Sequence, residues 1–185
     1  MKKNILNLVK ISSKSYPDKI FLKDINGNLN LTYKETLCFI YKLNNFLIKN
    51  KINKKEKVMV IFDNCILLSL LFLGITSSNR VFVPVNPDIG KFEFLNILKT
   101  SGVKIVLIDK IYKKKFSKML KQKPIYIDNH LKFLNQILIE EEKYLDDNFT
   151  GLCEILYTSG STGNPKGVML THESVLTNII GLEKS

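Results

Sequence analysis

A hydrophobic run long enough to cross a bilayer is missing from this chain. The longest, Cys65 to Ile75, falls well short of the ~20 residues a span requires. No cleavable leader is visible, so a cytoplasmic protein with no membrane span is expected. Arginine is nearly absent. Arg80 is the only one, and the net charge of +11 is carried by lysines spread along the chain. A nucleic-acid surface would instead favour clustered Lys and Arg beside aromatic platforms, so no nucleic-acid partner is expected. The densest group, Lys113 to Lys115 with Lys118, Lys121 and Lys123, reads as the solvated face of an amphipathic helix. Cysteine is scarce as well. Cys38, Cys65 and Cys153 stand far apart in no metal-ligand spacing and read as buried thiols of a reducing compartment. Histidine occurs twice. His130 has no chemical company and reads as a surface residue, whereas His172 reads as a capping or packing residue at a helix start. The acidic stretch from Glu140 to Glu142 with Asp146 and Asp147 lacks a second carboxylate cluster, so no metal site of its own is expected. The Gly-x-Gly-x-x-Gly dinucleotide fingerprint is absent. Asn164-Pro165 separates Gly163 from Lys166, which excludes the Gly-Lys-Ser/Thr phosphate loop of GTPases.

What is present is a hydroxyl-rich glycine loop. Thr158, Ser159, Ser161 and Thr162 are interleaved with Gly160 and Gly163, and Pro165, Lys166 and Gly167 follow. Glycine allows close backbone approach, so successive N–H groups can converge on one anion. The hydroxyls add donors, Lys166 adds a compact positive charge, and Pro165 stiffens the exit. The set suits a polyphosphate.

The patterning around the loop is that of an α/β protein. A helix is expected from Asn4 to about Ser13, then a hairpin of 20–23 and 29–31 about Asn26-Gly27. Thr32 with Glu35 makes a capping box for a helix running to about Lys49. Strands are expected near 57–62, 81–85, 104–108, 124–127 and 153–157. Helices are expected near 64–77, 91–100, 111–121 and 130–141. Thr171 is the predicted N-cap of a last helix. Continuous apolar strands such as Ile105 to Ile108 imply a largely parallel sheet buried on both faces. The loop then follows a strand's carboxyl end, the edge at which open α/β sheets bind ligands.

The string from Leu156 to His172, Leu-Tyr-Thr-Ser-Gly-Ser-Thr-Gly-Asn-Pro-Lys-Gly-Val-Met-Leu-Thr-His, resembles the signature of the AMP-forming adenylating enzymes. These are the acyl-CoA synthetases, peptide-synthetase adenylation domains and their relatives. Leu31 to Glu35, Lys57 to Ile61 and Val81 to Pro87 resemble the family's earlier segments. The likeness covers almost the whole chain, but only the front part of a family member. It implies a partial adenylation domain over 1–185, with a helix–hairpin–helix segment over 1–50 and an α/β subdomain over 51–185.

The resemblance also implies a chemistry. A carboxylate attacks the α-phosphate of ATP carried with Mg²⁺, giving an acyl-adenylate and pyrophosphate. Coenzyme A or a carrier-protein thiol then takes the acyl group. The nucleotide-binding residues carried over are Thr158, Ser159, Gly160, Ser161, Thr162, Gly163, Lys166 and Gly167. No catalytic or metal-binding residue is carried over, because the family's other site elements lie downstream of these motifs. The resemblance therefore implies a chain that is inactive alone, with a complementary chain as one partner. The alternative is a non-catalytic module that binds nucleotide or a partner. In the family's members the first helix and the hairpin are expected to pack largely on segments beyond residue 185, so apolar surface around 20–31 and the last helix is expected to be exposed here. Three family glycines are replaced here, by Lys51, Lys55 and Asn79. Asn50 and Asn79 are expected to take the left-handed conformation, leaving Lys51 and Lys55 in ordinary loop geometry.

Overall fold

The computed structural model describes residues 4–24, 29–121, 124–158 and 165–183. Helix α1 (Ile5–Ser15) begins at Asn4, whose side-chain oxygen accepts the Asn7 N–H at 3.0 Å. Strands β1 (Ile20–Lys23) and β2 (Asn30–Thr32) pair antiparallel. The Asn26-Gly27 turn expected between them lies outside the described residues. Helix α2 (Tyr33–Lys49) starts at the predicted capping box. The Thr32 hydroxyl accepts the Glu35 N–H at 3.2 Å, and the Glu35 carboxylate accepts the Thr32 N–H at 2.8 Å. Within this chain α1 has a packing surface of its own. Ile5, Leu6 and Val9 are buried against Ile40 and Tyr41 of α2, Leu145 and Cys153, all within the chain. Ile20 and Phe21 of β1 are exposed, as expected.

Six strands form the main sheet: β3 (Lys57–Ile61), β4 (Val81–Pro84), β5 (Ile105–Asp109), β6 (Ile125–Ile127), β7 (Leu152–Thr158) and β8 (Lys166–Thr171). Their order is β6-β5-β3-β4-β7-β8, and every pairing except β7–β8 is parallel. Alternation splits each strand between two cores. Val58, Val60, Phe82 and Leu107 pack on α2, on α3 (Ile66–Ser77) and on α6 (His130–Leu138). Met59, Ile61, Val83, Val106 and Ile108 pack on Phe94 and Ile97 of α4 (Lys91–Ser101) and on Phe116. Coverage on both faces is why these strands read as unbroken apolar runs. Among the described residues no helix is long and apolar enough to cross a membrane.

The structure corrects several expectations. The helix predicted over 111–121 is a 3₁₀ turn (Lys110–Tyr112) and one turn of helix, α5 (Lys113–Phe116). Phe116 is its only buried side chain, too little packing to hold a longer helix. The helix predicted to Glu141 ends at Leu138. No strand is expected between the loop and the last helix, yet Lys166–Thr171 forms β8. Lys51 and Lys55 are not in ordinary loop geometry: their φ values are 60° and 65°. Asn79 has φ 56°, as expected, but Asn50 has φ −85°. The backbone keeps the left-handed turn at Lys51 because the Ile52 N–H must reach Leu47 O, 2.9 Å away, to close α2. Of the three thiols only Cys153 is buried, while Cys38 and Cys65 are half-buried. His130 is not alone either. Its Nε2 lies 2.6 Å from Asp109 Oδ2, and its ring lies 5.5 Å from that of Phe62.

Candidate functional site

Strand β7 runs parallel to β4, and its carboxyl end is Thr158. β8 then returns antiparallel with Leu156 opposite Val168, Tyr157 opposite Gly167 and Thr158 opposite Lys166. The hydroxyl-rich segment thus joins two paired strands, and its flanking residues Thr158 and Lys166 lie opposite each other. Ser159, Gly160, Ser161, Thr162 and Gly163 lie outside the described residues.

The structure places the remaining three nucleotide-binding candidates on the strands rather than in a loop. The Thr158 hydroxyl donates to Lys166 O at 3.5 Å. Lys166 is exposed, and no carboxylate among the described residues pairs with its ammonium. Gly167 has a packing reason to be glycine. A Cβ there would lie 3.0 Å from Ile155 Cγ2 and 3.2 Å from Tyr157 Cζ. The Tyr157 ring therefore lies across the glycine, and its hydroxyl sits 3.3 Å from Thr100 Oγ1. On that side Pro165, Thr158 and Tyr157 border a cleft of about 310 Å³ whose far wall carries Asn86, Asp88 and Glu93. Sequence reasoning missed this wall. The Asn86-Pro-Asp turn after β4, in which Asn86 Oδ1 accepts the Asp88 N–H at 2.8 Å, was its available signal.

Helix α7 (His172–Glu183) follows β8 directly, and Thr171 caps it, accepting the Ser174 N–H at 3.1 Å. His172 is buried. Its Nδ1 accepts the Ile5 N–H at 3.4 Å, and its ring meets Phe149 edge-on at 5.2 Å. Its Nε2 has no partner among the described residues. Burial lowers its pKa to about 4, so the ring is neutral near pH 7 and ties the start of α7 to the start of α1. This is the structural role expected of it. Among the described residues no three His, Cys, Asp or Glu side chains gather as a metal site.

A glycine- and hydroxyl-rich connection between paired strands at a sheet's carboxyl edge, flanked by a lysine that pairs with no carboxylate among the described residues, has the composition to hold an anion. The family model described as AMP-binding enzyme matches residues 9–184. The chain belongs to this family. It is similar to gramicidin S synthase 2 of Brevibacillus brevis, with 30% identity over 146 residues, 79% of this chain and 3% of that protein. It is also similar to nonribosomal peptide synthetase 7 of Aspergillus fumigatus, with 26% identity over 168 residues, 91% of this chain and 7% of that protein. Among solved structures, a Mycobacterium tuberculosis fatty acyl CoA synthetase superposes with a TM-score of 0.78 at 23% identity, over 94% of this chain and 35% of that one. A fatty acyl-adenylate ligase from L. pneumophila, in complex with acyl adenylate and pyrophosphate, gives 0.74 at 24% identity, over 95% and 31%. This chain thus corresponds to the N-terminal part of an AMP-forming adenylating enzyme. It spans less than a tenth of these curated relatives and about a third of these solved chains.

Proposed function

We propose that this chain supplies the polyphosphate-binding wall of an ATP-dependent carboxylate adenylation site. The observation that carries the reading is the β7–β8 register, which brings Thr158 and Lys166 together beneath the family's signature tip. ATP is the substrate, and Mg²⁺ arrives with it. Backbone N–H groups and hydroxyls of Thr158, Ser159, Ser161 and Thr162 hold the β- and γ-phosphates, with Gly160 and Gly163 allowing close approach. Lys166 adds positive charge, and Gly167 lets Tyr157 brace the hairpin. When a carboxylate oxygen attacks the α-phosphorus, the bond to the bridging oxygen breaks and negative charge builds on the departing pyrophosphate. Donors already aimed at that charge lower the barrier. The cleft beside Tyr157 carries Asp88 and Glu93. Its carboxylates repel phosphate, so the polyphosphate lies over the tip on the Lys166 side.

The carboxylate pocket and the site that receives the thiol acceptor, coenzyme A or a carrier-protein arm, belong to further polypeptide. That polypeptide is either a continuation of this chain or a complementary one, and the 185 residues alone are inactive. Carboxylate-dependent ATP–pyrophosphate exchange tests this, on the chain alone and mixed with a polypeptide carrying the family's later motifs. Exchange only in the mixture is the expected result. No exchange in the mixture, for any carboxylate in an acyl and aminoacyl panel, overturns the ligase reading and leaves a non-catalytic phosphate-binding module.

A further inference from the structure

A second cleft, of about 400 Å³, opens between β1, α3 and the face of the sheet opposite α4. Its walls include Phe21 and Leu22 of β1, Leu68 and Phe72 of α3, and Phe82 of β4. Glu154 of β7 is the single charged group in its lining. It sits opposite Phe82 on one side and Leu170 on the other. No hydrogen bond or ion pair among the described residues reaches its carboxylate. The next pair along the same face, Leu156 and Val168, is 37% and 46% exposed, so an apolar strip runs on from the cleft.

Glu154 is half-buried, and apolar walls with no cation beside it leave its carboxylate poorly solvated in the charged form. Burial raises the Glu154 carboxyl to about 7, as expected for a group shielded from water without a cation nearby. An apolar hollow of this size with one placed polar group has the make-up of a small-molecule site. We propose that this cleft binds a small amphiphilic amine, its ammonium paired with Glu154 and its hydrocarbon laid on Phe72, Phe82 and the Leu156–Val168 strip. A lone anion selects a cation, and the aromatic walls select hydrocarbon beside it. The Leu156–Val168 strip adjoins the Thr158–Lys166 pair on the same face, but the amine site is argued from Glu154 and its apolar walls and does not depend on the phosphate assignment.

Isothermal titration of the full chain at pH 8 with hexylamine and with hexanol tests the proposal. Saturable hexylamine binding, at least about tenfold tighter than hexanol, is expected. Glu154→Gln should bring hexylamine down to the hexanol level with an unfolding midpoint equal to or above the parent's. Glu154→Asp, which keeps the charge, should retain a preference for the amine. Equal binding of hexylamine and hexanol, unchanged hexylamine binding by Glu154→Gln, or no saturation with hexylamine overturns the proposal. Tighter binding of the peptide acetyl-Leu-Lys-Leu-amide than of hexylamine, lost in Glu154→Gln, also overturns it, since the occupant is then a polypeptide lysine.

Discussion

Replacing Lys51 and Lys55 by glycine should stabilise this protein. Both lysines are exposed, and both hold left-handed backbone, with φ of 60° and 65°. An L-residue in that region costs about 1–2 kcal/mol relative to right-handed backbone. Glycine removes that strain but adds roughly 0.5–1 kcal/mol of unfolded-chain entropy. The net gain is about 0.5–1 kcal/mol per site, or ~1–2 kcal/mol for the pair. The hydrogen bonds that close α2, from Lys51 N–H to Ile48 O at 2.8 Å and from Ile52 N–H to Leu47 O at 2.9 Å, are all backbone and survive the change. For a chain of this length the double variant should melt about 2–8 °C higher. Urea and thermal unfolding followed by circular dichroism provide the assay. Lys51→Ala keeps the strain and should gain nothing. Asn50→Gly, at φ −85°, should lose stability. Glycine variants no more stable than Lys51→Ala would refute the reasoning.

Arg80 is buried with no carboxylate partner among the described residues, donating to Ile52 O at 2.6 and 3.0 Å, Asn44 Oδ1 at 3.0 Å and Ser78 O at 3.0 Å. Arg80→Lys cannot span these acceptors and should cost about 2–4 kcal/mol in urea unfolding. Gly74→Ala would bring a Cβ within 2.3 Å of Leu43 Cδ2 in the core between α2 and α3. It should cost roughly 1–3 kcal/mol despite its better helix propensity, again read by urea unfolding. His172 has a folded pKa of about 4 against 6.5 for the free side chain. The unfolded chain therefore takes up the proton first, and stability falls as the pH drops from about 6.5 to 4, by roughly 2–3 kcal/mol. Glu154, raised to about 7, acts with the opposite sign, losing stability as the pH rises from about 4.5 to 7. The difference between parent and His172→Phe unfolding curves isolates the histidine, and a pH-independent difference would contradict its buried, neutral state.

Where one segment decides its own structure, the sequence was readable. Thr32 and Glu35 sit three apart and make their box locally, and Ile105 to Ile108 can only be a strand covered twice. The unreadable parts depend on partners distant in sequence. β8 contains Gly167, which weakens a strand in isolation. It holds because β7 pairs with it and Tyr157 covers the gap. His130 meets Asp109 because β5 and β6 are neighbours in the sheet, which no local pattern reveals. Glu154 looks like an ordinary alternating polar position until β1 and α3 close over its face. At the proposed phosphate site the continuous string was legible residue by residue. The hairpin that places Thr158 against Lys166 was not, because register is a tertiary property.

The most direct test of the central claim is calorimetric titration of the chain with pyrophosphate, beside Thr158→Val and Lys166→Ala. The account predicts saturable binding tighter than about millimolar, equivalent to roughly −4 kcal/mol, and several-fold weaker binding in each variant with unchanged unfolding midpoints. Absent saturation, or equal affinity in parent and both variants, would contradict it.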